Sequence, residues 1–221
     1  HDDAGLDRAA GLLSVGHDEY WTQAMFDNVK AAIQKGLNVA FLSGNSVFVK
    51  IQLKSAPNGR RDCIFERGGR FRPREKTLMG AHSTGPVIGG ADWICRVPDH
   101  WIFADTGIRA GDRIAGLVGW EFHGDPADIA GLQVVASGET DSRRFPERNP
   151  DQEKKSGVYT ATVYPGPQGN FVFNGATCWW ADGLSAPPGY LRSDWYVDRQ
   201  GPDARLQQIT RNLLDRMKKK M

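Results

Sequence analysis

Apolar residues fall into short runs separated by polar loops, and their spacing predicts an open sheet flanked by helices. Residues 11–15 end in Leu12-Leu13-Ser14-Val15 and read as a buried strand. Gly16 closes the run, and His17, Asp18, Glu19, Tyr20 and Trp21 follow without a gap. Thr22 is a good N-cap, and Met25, Val29, Ala32 and Ile33 then share one face at helical spacing. Gly36 suits a left-handed stop. Residues 37–42 are apolar throughout, as a central parallel strand requires, and end in Ser43-Gly44-Asn45. Strand, polar loop, helix, strand, polar loop is the order of a parallel α/β sheet. Ligands of such sheets collect outside the carboxyl ends of the strands, where both polar loops lie.

Further along, residues 46–54 alternate partly and suit a strand or a short helix. Residues 54–76 carry Lys54, Arg60, Arg61, Arg67, Arg70, Arg72, Arg74 and Lys76. A basic loop invites a phosphate, but this one lacks a P-loop or interleaved aromatics, which favours a solvated excursion or a partner contact. Residues 80–100 read as loops around a bend, with a turn at 98–101. An apolar run at 114–122 ends near Glu121, and 132–136 is a further strand. Residues 141–155 are a charged insertion. Residues 158–163 and 170–173 flank Pro165-Gly166-Pro167 and read as a β-hairpin. Residues 178–184 suit one helical turn. Pro202 opens a last helix with Leu206, Ile209, Leu213 and Met217 on its buried face. The whole, 1–221, reads as a single α/β domain with a β-rich part at about 110–175.

Composition narrows the function classes. A net charge of +2 supplies no strong field for nucleic acid, and Lys218-Lys219-Lys220 reads as a solvated helix end. No apolar stretch reaches the ~20 residues of a membrane span. The 3 cysteines, Cys63, Cys95 and Cys178, match no zinc spacing and read as reduced, buried thiols. The chain starts at His1 without an initiator methionine, so a fragment or processed product is expected, and the expected location is cytoplasmic.

Candidate chemistry sits in the strand-end loops. His17, Asp18, Glu19 and Tyr20 offer an imidazole and several oxygens to one pocket; the competing reading is capping by Asp18 or Glu19 and packing by Tyr20. Glu121 lies between Trp120 and Phe122, where a carboxylate needs a partner or must stay protonated; the alternative is an edge position facing water. Asn45 is placed to turn its amide towards the same pocket. His82 and His123 are weaker candidates. No Gly-x-Ser-x-Gly and no Cys–His pair at a strand elbow is present, so the usual nucleophiles of serine and thiol hydrolases are missing.

GHDEYW followed by a helix, a strand and LSGN resembles the C-terminal region of the N,N-dimethylformamidase large subunit and its relatives. The later GWEF and FNGATCWWADGL segments are similar to the same family, so the resemblance covers nearly the whole chain. It implies a flavodoxin-like, class I glutamine amidotransferase-like three-layer sandwich with extra β-strands, whose first strands are absent from this chain. It implies hydrolysis of a small amide, of the formamide type, at a mononuclear iron held by two tyrosines and a glutamate. Tyr20 and Glu121 match one tyrosine and the carboxylate. The second tyrosine has no counterpart, and Phe48 stands in the segment after SGN where relatives are aromatic-rich. Under this scheme His17 or Glu19 moves protons and Asn45 orients substrate or tyrosinate. Phenolate and carboxylate are hard ligands suited to iron, which polarises a carbonyl and lowers the pKa of bound water.

Two other classes stay open. One is a non-catalytic relative that binds a small molecule. The other is an assembly domain, a homo-oligomer or a partner of a missing N-terminal segment or second chain, with Trp179, Trp180, Trp195 and Tyr196 covering the partner.

Overall fold

The computed structural model describes residues 3–55, 61–62, 69–84, 90–140, 157–189 and 201–219. In chain order it contains β1 (Gly11–His17), β2 (Tyr20–Trp21), α1 (Gln23–Gln34), β3 (Asn38–Gly44) and β4 (Val49–Lys50). There follow β5 (Lys54–Ser55), β6 (Arg61–Asp62), α2 (Lys76–Met79), β7 (Ala81–Thr84), β8 (Gly90–Ile94), β9 (Arg113–Gly119) and β10 (Phe122–Pro126). The last elements are β11 (Gln133–Glu139), β12 (Val158–Pro165), β13 (Phe171–Asn174) and α3 (Ala204–Lys218).

The principal sheet has the order β1-β3-β13-β12-β11. β1, β3 and β13 run parallel, while β12 and β11 are antiparallel to their neighbours. The molecule is therefore mixed α/β, rich in sheet and with few helices among the described residues. β3 is buried on both faces. Val39 and Phe41 join Phe26, Val29 and Ile33 of α1 in one core cluster. Ala40 and Leu42 join Phe173 and Leu206, Ile209 and Leu213 of α3 in the other. Each large apolar side chain so buried contributes about 1.5–3 kcal/mol. No helix among the described residues is long and apolar enough to cross a membrane.

Local chemistry sets the ends of the elements. Thr22 caps α1 by accepting from the Met25 N–H at 3.0 Å. Gly36 takes φ 109 just beyond that helix, which a side chain would resist. α3 starts at Ala204, two residues later than a helix with Pro202 at its first position would. Asp203 is the N-cap and accepts from the Arg205 N–H at 2.8 Å, leaving Pro202 outside.

Several expectations are corrected. Residues 11–15 are not a buried strand: β1 is the sheet edge, and Leu13 and Val15 are 42% and 49% exposed. Residues 80–100 are not only loops, because β7 pairs with β10 and β8 with β9. The small polar residues of β7 hide its period in the sequence. Residues 46–54 form only the two-residue strands β4 and the start of β5. Trp179 and Trp180 are buried at 4% and 0%, so neither covers a partner; Trp180 packs edge-on against Trp93 at 5.9 Å. In the basic stretch, Arg70 and Arg74 lie over the Phe48 and Phe26 rings at 4.9 and 5.3 Å, so these two cations pack on the fold. Trp195, Tyr196, Cys63, Arg60, Arg67 and the 141–155 insertion lie outside the described residues.

Candidate functional site

Three parallel strands deliver their carboxyl ends to one place. β1 ends at His17, which pairs in register with Gly44 at the end of β3. Asn174 closes β13 beside Phe41. The chain then bends sharply at each end: Asn45 has φ 49 and Ala176 has φ 59. A third bend, at Trp120 with φ 28, sets Glu121 between β9 and β10. Positive φ at a non-glycine residue is strained and collects at functional loops. Gly44 lets these loops close. A Cβ there would collide with the Glu121 carbonyl oxygen and stand 2.8 Å from the Cys178 nitrogen.

The Glu121 carboxylate is the centre of the cluster and is 4% exposed. Oε1 accepts from the Asn45 amide at 3.2 Å. Asn45 is itself fixed, because its Oδ1 accepts from the Ser83 hydroxyl at 3.1 Å. Oε2 lies 2.7 Å from His17 Nδ1, yet no aligned hydrogen bond reaches it, so this contact is an ion pair more than a directed bond. The His17 side chain is 42% exposed and its ring lies 4.8 Å from that of Trp120. Its pKa is pushed up to about 10, first by the Cys178 sulfur and then by the Glu121 carboxylate, against a smaller loss from burial. His17 is thus an imidazolium at neutral pH, held between a thiol and a carboxylate.

Behind this cluster runs a second buried chain of polar groups. Ser14 and Ser43 hydroxyls lie 2.8 Å apart, and Ser43 and Ser46 hydroxyls 2.5 Å. The Ser46 N–H donates to His123 Nε2 at 3.1 Å, so Nε2 is unprotonated and Nδ1–H donates to Asn174 Oδ1 at 2.6 Å. Complete burial lowers the His123 pKa to about 4, which keeps the ring neutral.

The structure therefore joins His17, Asn45 and Glu121, and it rules out a water-facing Glu121. It does not join Glu19, whose carbonyl accepts from Phe48 and Val49 N–H groups and whose carboxylate has no bond to the cluster among the described residues. Neither Asp18 nor Glu19 caps α1, since Thr22 does; Asp18 accepts from the Trp21 indole at 2.9 Å. Tyr20 lies three residues beyond His17 in β2, with a side chain 46% exposed. Phe48 supports the Arg70 guanidinium. Ser83 and Cys178 escaped sequence reasoning, because β10 pairing brings the first and the turn after β13 the second. Cys178 stands 157–161 positions from the His17 loop in sequence and carries no motif that would have linked the two.

Among the described residues, no three His, Cys, Asp or Glu side chains could hold a metal ion. A metal at this cluster would need oxygen ligands of another kind, such as a phenolate. The chemistry of the donors fits a hard cation in part: Glu121 Oε2 is buried without an aligned donor, and Tyr20, three residues after His17, is 46% exposed.

None of the curated proteins compared with the chain matches it. The family described as N,N-dimethylformamidase beta subunit-like, C-terminal, matches residues 1–193, and the chain belongs to that family.

Proposed function

We propose that this domain hydrolyses the C–N bond of small, formamide-type amides at the His17–Glu121 cluster. The observation that carries the reading is the buried carboxylate, braced by Asn45 and 2.7 Å from a cationic imidazole, at the ends of three parallel strands. Membership of a dimethylformamidase-related family supports the amide as substrate. We infer the finer flavodoxin-like, amidotransferase-like architecture from the β1-α1-β3 unit with apolar helices on both faces. The beta-subunit description supports assembly with a further chain.

Glu121 and Tyr20 are the residues that would hold iron, with a further ligand from outside this pair. When bound, the metal supplies Lewis acidity towards the amide oxygen and a water of lowered pKa. The chain's own residues supply the rest. His17 carries the proton that the departing amine requires, and it sits at the open rim where an amine leaves. Asn45 fixes the carboxylate, and Ser83 fixes Asn45. The test is elemental analysis and a visible spectrum of wild type and Tyr20→Phe, beside formate release from formamides. Near-stoichiometric iron, with a charge-transfer band lost in Tyr20→Phe, is the expected result; activity in metal-free protein removes iron from the reading.

A second reading rests on the place of Cys178, whose backbone N–H donates to the Glu121 carbonyl at 3.4 Å and whose thiol, set 3.9 Å from the Gly119 carbonyl, acts on the His17 proton. With the proton on His17, the Cys178 sulfur attacks the amide carbon and the C–N bond breaks. The amine takes the imidazolium proton, and water then cleaves the thioester, returning the thiol and releasing the acid. Glu121 holds the imidazole, in the order nucleophile, base and orienting carboxylate. Under this reading metal-free protein is active, and iodoacetamide or Cys178→Ala abolishes activity. Full activity of Cys178→Ala refutes it.

A further inference from the structure

A second concave site lies at the other end of the sheet. Its cavity of about 500 Å³ is lined by the last residue of β12, Pro165, and by the first residues of β13 and β11, Phe171 and Gln133. Glu121, by contrast, stands where β1, β3 and β13 finish. The volume falls within the ~300–1,000 Å³ of small-molecule sites.

Two hydrogen-bond donors, His100 and Arg216, stand on this wall beside the polar side chains of Asp99, Gln133 and Asn170. His100 Nδ1 accepts from the Ile102 N–H at 3.4 Å, so the neutral ring carries its proton on Nε2. Burial, and then the charge of Arg216, lowers the His100 pKa to about 4, so the ring stays neutral in ordinary buffers. No described residue accepts that Nε2 proton. The Arg216 guanidinium lies over the Trp101 ring at 4.5 Å and has no carboxylate partner among the described residues. A guanidinium seated over an aromatic ring still has N–H groups to offer a planar acceptor. Trp101 meets Phe171 edge-on at 5.0 Å, which gives the cavity an aromatic wall. The amide of Asn170 is already spent on the Ile33 and Leu37 carbonyls and only shapes the wall. Asp99, exposed at the surface, is the single acid among the lining residues.

Two donors without acceptors beside an aromatic wall define the ligand's chemistry. We propose that this cavity is a second binding site, for a small carboxylate on a flat apolar body, held by Arg216 and the His100 Nε2–H against Trp101 and Phe171. The site stands independently of the amide-hydrolase reading, since it shares no residue with the Glu121 cluster.

The experiment is an NMR titration of the whole protein with sodium benzoate, and in parallel with benzyl alcohol, read at the Trp101 indole N–H. Benzoate is expected to give a saturable shift, about tenfold tighter than the alcohol, since one charge-assisted pair separates them. Arg216→Met, which keeps the stacked hydrocarbon stem, is expected to lose about tenfold in benzoate affinity. Glu121→Gln is expected to bind benzoate as wild type does. The proposal is overturned by no saturable shift at Trp101, by equal affinity for the alcohol, by undiminished binding in Arg216→Met, or by loss of binding in Glu121→Gln. Should Arg216→Met fail to fold, the comparison of the two ligands on wild type decides alone.

Discussion

Replacing Glu121 by Gln tests the electrostatic core of the site. The substitution keeps the shape and the acceptor for Asn45 but removes the charge 2.7 Å from His17. The rise of the His17 pKa from 6.5 to about 10 would correspond to ~5 kcal/mol if none of it were screened. The His17 side chain is 42% exposed, and solvent reduces such a pair to about 1–3 kcal/mol. Part of that belongs to Cys178, the larger cause, so Glu121→Gln is expected to cost about 1–2 kcal/mol. In a chain of this size that is about 2–8 °C in Tm. The pH window follows from the direction of the rise. The folded pKa lies above the unfolded one, so the contribution is fully present below pH 6.5 and is lost as pH rises through about 10. Urea denaturation at a series of pH values should show the gap between wild type and variant narrowing over that window. An NMR titration of the His17 ring should show its midpoint falling in the variant. A wild-type midpoint near 6.5, or a stability gap that is flat from pH 6 to 10, would refute the reasoning.

Three further outcomes are expected. The fully buried His123, with its pKa lowered to about 4, should make the protein lose stability as pH falls from 6.5, by at most about 3 kcal/mol, with the loss levelling off near pH 4; thermal melts across that range compared with His123→Gln check it. Gly44→Ala should cost about 1–3 kcal/mol, because the new methyl meets the Glu121 carbonyl, and it should reduce formate release more than its stability loss explains. Asn45→Ala leaves Glu121 Oε1 and the Ser83 hydroxyl without their buried partner and should cost about 1–3 kcal/mol in urea denaturation; Asn45→Asp should be worse, since it sets two carboxylates together.

The legible part of the fold was the part with a strong period. α1, β3 and α3 announce themselves through apolar residues at 3.6-residue or continuous spacing, and the hairpin of β12 and β13 through its Pro-Gly-Pro turn. β1 was found but its burial was misread, because Leu-Leu-Ser-Val looks the same in an edge strand and in a central one. β7 was missed because Ala81-His82-Ser83-Thr84 has no apolar side to show; its place is fixed by pairing with β10, 38 or more positions away, and no local pattern carries that. The site divides in the same way. His17, Asn45 and Glu121 were legible because a polar residue directly after an apolar strand has a known address, the strand's carboxyl end. Ser83 and Cys178 reach the same address from short elements, so only the three-dimensional register shows them.

Glu121 Oε2 is the atom for which the two catalytic readings compete. As drawn by the folded chain, it faces a protonated imidazole at 2.7 Å. A cation bound to that oxygen would put two positive charges at contact distance, and the imidazolium would have to lose its proton or swing away. Swinging is open to it, because the ring is 42% exposed and its ring neighbour Trp120 sits at a strained turn. Iron chemistry and thiol chemistry at this cluster therefore need different states of one residue. The first needs a His17 that has left Oε2, and the second a His17 that stays between Cys178 and Glu121. Asn45 is common to both, since it holds Oε1 whichever partner Oε2 has, and so its loss should damage either chemistry.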